Sequence, residues 1–164
     1  MPTDEANITV TSSLFAEGGT IPISAAHPAA AGQNVSPDLA WSGAPPETAG
    51  FAVTCYDHDA PTTIGFSHWV LFNLGAGTLS LAAGAGAAGK GPAGSTLGFT
   101  DWGVSEYGGM APPPGDPPHH YEFTVYALDV PHLDGGPTTT FAMLNFMMRG
   151  HTLAKGTLTG MFGQ

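Results

Sequence analysis

Positive charge is what this chain has least of: Lys90, Arg149 and Lys155 stand against 13 aspartates and glutamates, for a formal net charge of -10. A protein that tracks a phosphate backbone needs several cations on one face, so a nucleic-acid partner is excluded. The same acidity opposes attraction to an anionic membrane surface. Apolar runs are short as well. None reaches the roughly 20 residues that cross a bilayer as a helix, so no transmembrane segment is expected. With Cys55 as its single cysteine the chain forms no internal disulfide and no multi-cysteine zinc site. Cys55 lies inside the apolar run 51–56 and reads as a small buried hydrophobe. The opening residues Met1-Pro2-Thr3-Asp4-Glu5 have neither the basic nor the apolar region of a secretory signal, so a cytoplasmic location is expected.

Glycine and proline are plentiful, at 24 and 15 residues, which borders on the composition of disordered chains. The apolar content is too high for that, and clear strand patterns separate the breakers, so these residues are read as turns between ordered strands. A length of 164 residues is one domain with room for a core, spanning 1–164. Only 10% of side chains are charged, which eases self-association.

Residues 8–12 alternate β-branched side chains and read as a first strand; 17–37 is broken by glycine and proline into a loop. Residues 38–41 make a short apolar approach to the turn Gly43-Ala44-Pro45-Pro46. A strand follows at 49–56, with Phe51, Val53 and Cys55 on one face and Asp57 continuing that face at the strand's end. In the next, 67–74, strict alternation puts His68 with Val70, Phe72 and Leu74, opposite Trp69, Leu71 and Asn73. The Gly/Ala-rich stretch 82–98 reads as a long flexible loop. From Tyr121 the chain alternates again, Tyr121, Phe123, Val125 and Ala127 against Glu122, Thr124, Tyr126 and Leu128. Thr138-Thr139-Thr140 caps a helix that runs to about Arg149 and stops at Gly150, and 152–162 is a last strand. The fold class is therefore mainly β, with one C-terminal helix.

Chemistry gathers at the strand ends. Asp57 closes one strand, His68 opens another, and Pro117-Pro118 delivers His119, His120 and Tyr121 onto a third. Polar groups held at the mouth of apolar elements are how small-ligand sites are built. Tyr107 with the pair Gly108-Gly109 adds a hydroxyl and a backbone able to approach a ligand closely. Signatures of other chemistries are missing: there is no G-x-S-x-G elbow and no HExxH, and Gly89-Lys90-Gly91 has the wrong spacing for a phosphate loop.

Four ordered patterns resemble the phosphatidylethanolamine-binding protein family, in its bacterial and archaeal Raf-kinase-inhibitor-like branch. They are Asn34-Val35-Ser36-Pro37-Asp38-Leu39-Ala40-Trp41; Asp57-His58-Asp59-Ala60-Pro61 leading to His68-Trp69; Tyr107-Gly108-Gly109 with Pro112-Pro113; and Gly115-Asp116 leading to His119-His120-Tyr121. The resemblance implies a central sheet packed with a smaller one, a C-terminal helix, and a small anion pocket at one end of the strands; with the low charge density it also leads to the expectation of a homodimer. It carries site roles to Asp57, Asp59, Pro61, His68, Tyr107, Gly108, Gly109, His119 and Tyr121. The chain departs from the pattern at His58 and Met110, where proline is usual, and at His120, where arginine is usual. Losing that permanent cation makes anion affinity weaker or more dependent on pH, unless His120 points away from the pocket with Glu122.

The function expected is binding of phosphate or a phosphate-ester headgroup such as phosphoethanolamine, without cofactor, metal or catalytic group, and with no protein partner that the sequence identifies. Modulation of a kinase or protease is suggested by the family name alone. The alternative is an enzyme using the same His/Asp pocket for acid-base or metal chemistry. The turn after Asp57 is expected to need a cis Ala60-Pro61 bond.

Overall fold

The structure, a computed structural model, describes residues 6–164. Four long strands form its centre: β4 (Gly50–Asp57), β5 (Phe66–Gly75), β8 (His119–Leu128) and β9 (Thr152–Phe162). With the two-residue strands β1 (Ala6–Asn7) and β7 (Thr96–Leu97) at the edges they make a six-stranded sheet in the order β1-β9-β8-β4-β5-β7. Three short strands, β2 (Thr9–Thr11), β3 (Leu39–Ser42) and β6 (Ser80–Leu81), form a second sheet. The one α-helix among the described residues, α1 (Phe141–Met148), starts at Thr140, whose hydroxyl accepts from the Met143 N–H at 3.2 Å. No described helix is long and apolar enough to cross a membrane.

The two layers explain the composition of the central strands. One face of the large sheet, with Phe51, Val53, Cys55, Trp69, Leu71, Phe123 and Val125, packs against Val10, Leu39 and Trp41 of the small sheet. The other, with Ala52, Val70, Phe72 and Leu128, packs against Leu144 and Met148 of α1. Strands covered on both sides must be apolar in both parities, and β4 is buried along nearly its whole length.

The first strand expected at 8–12 is realised as β2, in the small sheet. The short approach to Trp41 is itself a strand, β3, pairing with β2 and β6. The Gly/Ala-rich stretch 82–98 is tethered rather than free: Gly84 N–H donates to Ser36 O (2.8 Å), Gly86 N–H to Ser36 Oγ (2.8 Å), and Thr96–Leu97 pairs with β5.

Strict alternation fails in β5. Against β4 its register slips twice, so that Cys55 faces Trp69 while Tyr56 faces Ser67, and Phe51 faces Leu74 while Val53 faces Leu71. Each slip is an extra residue in β5, a β-bulge that turns later side chains to the other face. Leu74 thereby joins Trp69 and Leu71 in the inter-sheet core, while Val70 and Phe72 stay with α1. Asn73 sits in this second bulge at φ 58°, a left-handed conformation asparagine tolerates, and its amide bonds both Leu133 N–H and Leu133 O. The first bulge moves His68 off the face of Val70 and Phe72: its ring lies 5.2 Å from that of Tyr121, on the side of the inter-sheet core.

Candidate binding site

The C-terminal end of β4 and the N-terminal ends of β5 and β8 come together at one end of the large sheet. Asp57 there pairs with Phe66 on one side and Tyr121 on the other. A cleft of about 420 Å³ opens over this row. Asp57, His68, His119 and Tyr121 form its polar floor; Ala60, Pro61, Phe66, Trp102, Ala111, Pro112 and Pro113 its walls; Thr62 and Asp101 also border it.

His119 is the most constrained group. Its Nδ1 lies 2.7 Å from Asp57 Oδ2 and its Nε2 3.1 Å from Asp116 Oδ2, with the ring only 4% exposed. A carboxylate accepts, so both ring nitrogens carry protons and the ring is an imidazolium. Burial alone lowers its pKa, but the bonds to Asp57 and Asp116 outweigh that and hold the pKa above the ordinary histidine value.

His68 is the opposite case. Its Nδ1 donates to the carbonyl oxygens of Gly108 (2.7 Å) and Gly109 (3.1 Å). Burial lowers its pKa, more than those carbonyls and the Asp57 and Asp101 carboxylates raise it, which keeps the ring neutral. The bulge that aims it is pinned by the neighbouring loop. Asp101 Oδ2 accepts from Ser67 N–H (2.7 Å), Asp101 N–H donates to Ser67 O (3.1 Å), and Gly108 N–H donates to His68 O (2.9 Å). Tyr121 is buried beside Asp57, and desolvation followed by that charge pushes its hydroxyl far up, so it stays a neutral donor.

Of the nine residues singled out in the sequence, Asp57, Pro61, His68, His119 and Tyr121 border the cleft. The other four stand behind or beside it. Asp59 is held below the usual carboxylate range by the His120 N–H (2.7 Å) and then by the His120 ring (2.8 Å). His120 is exposed, so the missing arginine falls on this surface pair rather than on the cleft. Tyr107 is buried, its hydroxyl donating to Ala25 O at 2.6 Å. Met110 is buried beneath the same hydroxyl, and His58 is exposed.

The Gly108 and Gly109 N–H groups are spoken for, by His68 O and by Asn34 Oδ1 (2.7 Å). Packing is what demands glycine here. A Cβ on Gly108 would lie 2.1 Å from the Trp102 ring, and one on Gly109 would lie 2.3 Å from Ala25 O. Phe66, Asp101, Trp102 and Asp116 escaped the sequence reading as site residues. Asp101-Trp102 lies in a turn without periodicity, and only its aromatic and acidic character in a Gly-rich loop hinted at it.

The peptide bond at Ala60-Pro61 is trans, contrary to expectation. Asp57 Oδ1 accepts from Asp59 N–H (2.8 Å), Thr62 Oγ1 donates to Gly65 O (2.6 Å), and Gly65 at φ 73° completes the reversal. A side chain at Gly65 would meet Asp57 O and the Tyr56 hydroxyl at 2.6 Å, so glycine makes the close turn that a cis bond was expected to make. Of the two histidines in the cleft, His119 bonds carboxylates and His68 bonds backbone carbonyls; among the described residues no group of three histidine, cysteine or acidic side chains is disposed to hold a metal ion.

Comparison with known proteins gives a consistent picture. The phosphatidylethanolamine-binding protein family matches residues 11–163. The UPF0098 protein YbhB of Escherichia coli K12 is 45% identical over 132 residues, 80% of this chain and 83% of that protein. A UPF0098 protein of Methanothermobacter thermautotrophicus is 38% identical over 131 residues, covering 80% and 84%. Among solved structures, E. coli YbcL, described as a new member of the mammalian PEBP family, superposes with a TM-score of 0.93 at 36% identity, over 97% of this chain and 99% of that one.

Proposed function

Because the chain belongs to the phosphatidylethanolamine-binding protein family, we propose that its cleft binds a phosphate-ester headgroup of the phosphoethanolamine kind. The observation that carries this reading is His119, a buried imidazolium on the floor of an open cleft. Its Nε2–H is the donor a phosphoryl oxygen would take, because the Asp116 side chain that now accepts from it is 39% exposed and free to rotate outward. Asp57 is the fixed partner, buried and unable to follow. The remaining charges suit a zwitterion better than a simple anion. Asp101 borders the cleft and Asp116 lies beside His119, so carboxylates surround the single cation and an ammonium group would be drawn to them. The walls Phe66, Trp102 and the proline pair would pack against the ligand's carbon atoms.

Titration calorimetry with phosphoethanolamine tests the reading. Binding is expected in the wild type, and His119→Ala is expected to weaken it by about 1.5 to 3 kcal/mol, the worth of a hydrogen bond to a charged group. An affinity unmoved by that substitution would remove the ground for the proposal. The chain is further proposed to form a homodimer, on the strength of its low charge density and of exposed apolar side chains such as Ile64 and Phe146.

A further inference from the structure

The donors and acceptors of the cleft are out of balance, and the imbalance selects among phosphates. His68 spends its one proton at Nδ1 on the Gly108 and Gly109 carbonyls. Its Nε2, with no protein hydrogen bond among the described residues, is therefore a bare lone pair on a ring 4% exposed that borders the cleft. The charged and titratable groups that face it are Asp57 from β4, Asp101 from the neighbouring loop, and His119 and Tyr121 from β8. Three backbone donors beside His68 are consumed: Gly108 N–H by His68 O, Gly109 N–H by Asn34, and Ser67 N–H by Asp101. Trp102 Nε1–H donates to Gly109 O at 3.2 Å. No lysine or arginine borders the cleft. The Tyr121 hydroxyl is turned to Asp57. His119 Nε2–H can be released to a ligand; the lone pair of His68 needs a donor that the ligand must bring.

Resting on the phosphate-ester reading above, we propose that the cleft selects phosphate monoesters in their singly protonated form, the P–OH donating to His68 Nε2 while His119 Nε2–H donates to a second phosphoryl oxygen. Sulfate carries no proton at neutral pH and would set an anionic oxygen against the lone pair. A phosphodiester has no P–OH either, so an intact phospholipid headgroup is disfavoured and a free monoester preferred. The pH dependence follows the ligand: its second ionisation lies near 6, so monoester affinity falls about tenfold per pH unit well above that value.

The experiment is calorimetry on the full chain at pH 6 and 8 with phosphoethanolamine, inorganic phosphate, glycerophosphoethanolamine and sulfate, together with ¹⁵N NMR of His68 in the phosphoethanolamine complex. The expected result is that phosphoethanolamine and inorganic phosphate bind at pH 6 roughly 10- to 100-fold more tightly than sulfate or the diester, as a lost hydrogen bond to a buried group implies. His68 is then neutral and protonated on Nδ1. Sulfate binding as well as phosphate, with His68 doubly protonated, overturns the inference while leaving the phosphate reading intact. Equal binding of the diester also overturns it, placing the ammonium rather than a P–OH on His68. If none of the four binds, the phosphate reading itself falls and the inference falls with it. His68→Gln, whose amide can turn either its oxygen or its NH₂ to the ligand, is expected to erase the preference over sulfate.

Discussion

The two histidines of one cleft have pKa values moved in opposite directions, His119 upward because its bonds to the Asp57 and Asp116 carboxylates outweigh burial, His68 downward because burial outweighs its bonds to the Gly108 and Gly109 carbonyls. The consequence for stability has a definite sign. A group whose folded pKa is raised, as for His119, stabilises fully below the unfolded value near 6.5 and loses that contribution as pH rises through the folded value. For His68 the folded pKa is lowered, so the unfolded chain takes up its proton first and stability is lost as pH falls below about 6.5. Urea unfolding of wild type and His119→Gln should therefore show a larger gap at pH 6 than at pH 9, by about 1 to 3 kcal/mol for the charged hydrogen bonds. A gap of the same size at both pH values would mean that His119 is neutral in the folded protein. At this scale the sequence was partly transparent. Residue type and strand-end position pointed to Asp57, His68 and His119, because few physical settings place such groups beside apolar strands. It was opaque for Asp59 and Tyr107, since the direction of a loop side chain depends on partners distant in sequence, His120 for the one and Ala25 for the other.

Among elements, β5 carries the information that alternation could not supply. Its parity predicted His68 with Val70, and an extra residue turns it toward Tyr121 instead. A bulge leaves backbone groups without ladder partners, and here Asp101 takes the Ser67 N–H. Asp101→Ala is thus expected to destabilise the protein by about 1 to 3 kcal/mol and, by freeing the bulge, to weaken phosphoethanolamine binding as well. Calorimetry on a variant that is destabilised but binds normally would show that His68 is positioned without the loop. The helix makes a simpler test. Leu144 is fully buried between α1 and the large sheet, so Leu144→Ala should cost about 2 to 5 kcal/mol in chemical denaturation. Ligand affinity should be unchanged, because α1 packs on the face of the sheet opposite the small sheet. The helix and the four long strands were legible because each carries a local signal, either a Thr cap with helical spacing or a strand-length pattern in which apolar residues recur on one face. The two-residue strands β1, β6 and β7 have no such signal and exist only because a longer neighbour offers an edge.

For the molecule as a whole, the scarcity of cations bears on the proposed self-association. The proposed homodimer brings together two chains of net charge -10, which repel at long range. With three lysines and arginines per chain, few intersubunit ion pairs are available, so the attraction has to come from apolar and neutral polar contact; Ile64, at 74% exposure, and Phe146, at 69%, are the kind of side chain that would supply it. Repulsion between like charges is screened by salt, the Debye length shrinking from about 30 Å at 0.01 M to about 8 Å at 0.15 M, whereas apolar contact is not weakened over that range. The dimer should consequently tighten as salt rises from 0.01 to 0.15 M, the reverse of an interface held by ion pairs. Light scattering at micromolar concentration across this range measures both points. A monomer mass at 0.15 M salt would rule out the dimer, and a dimer that dissociates with added salt would mean that the few cations of the chain, rather than its apolar surface, hold it together.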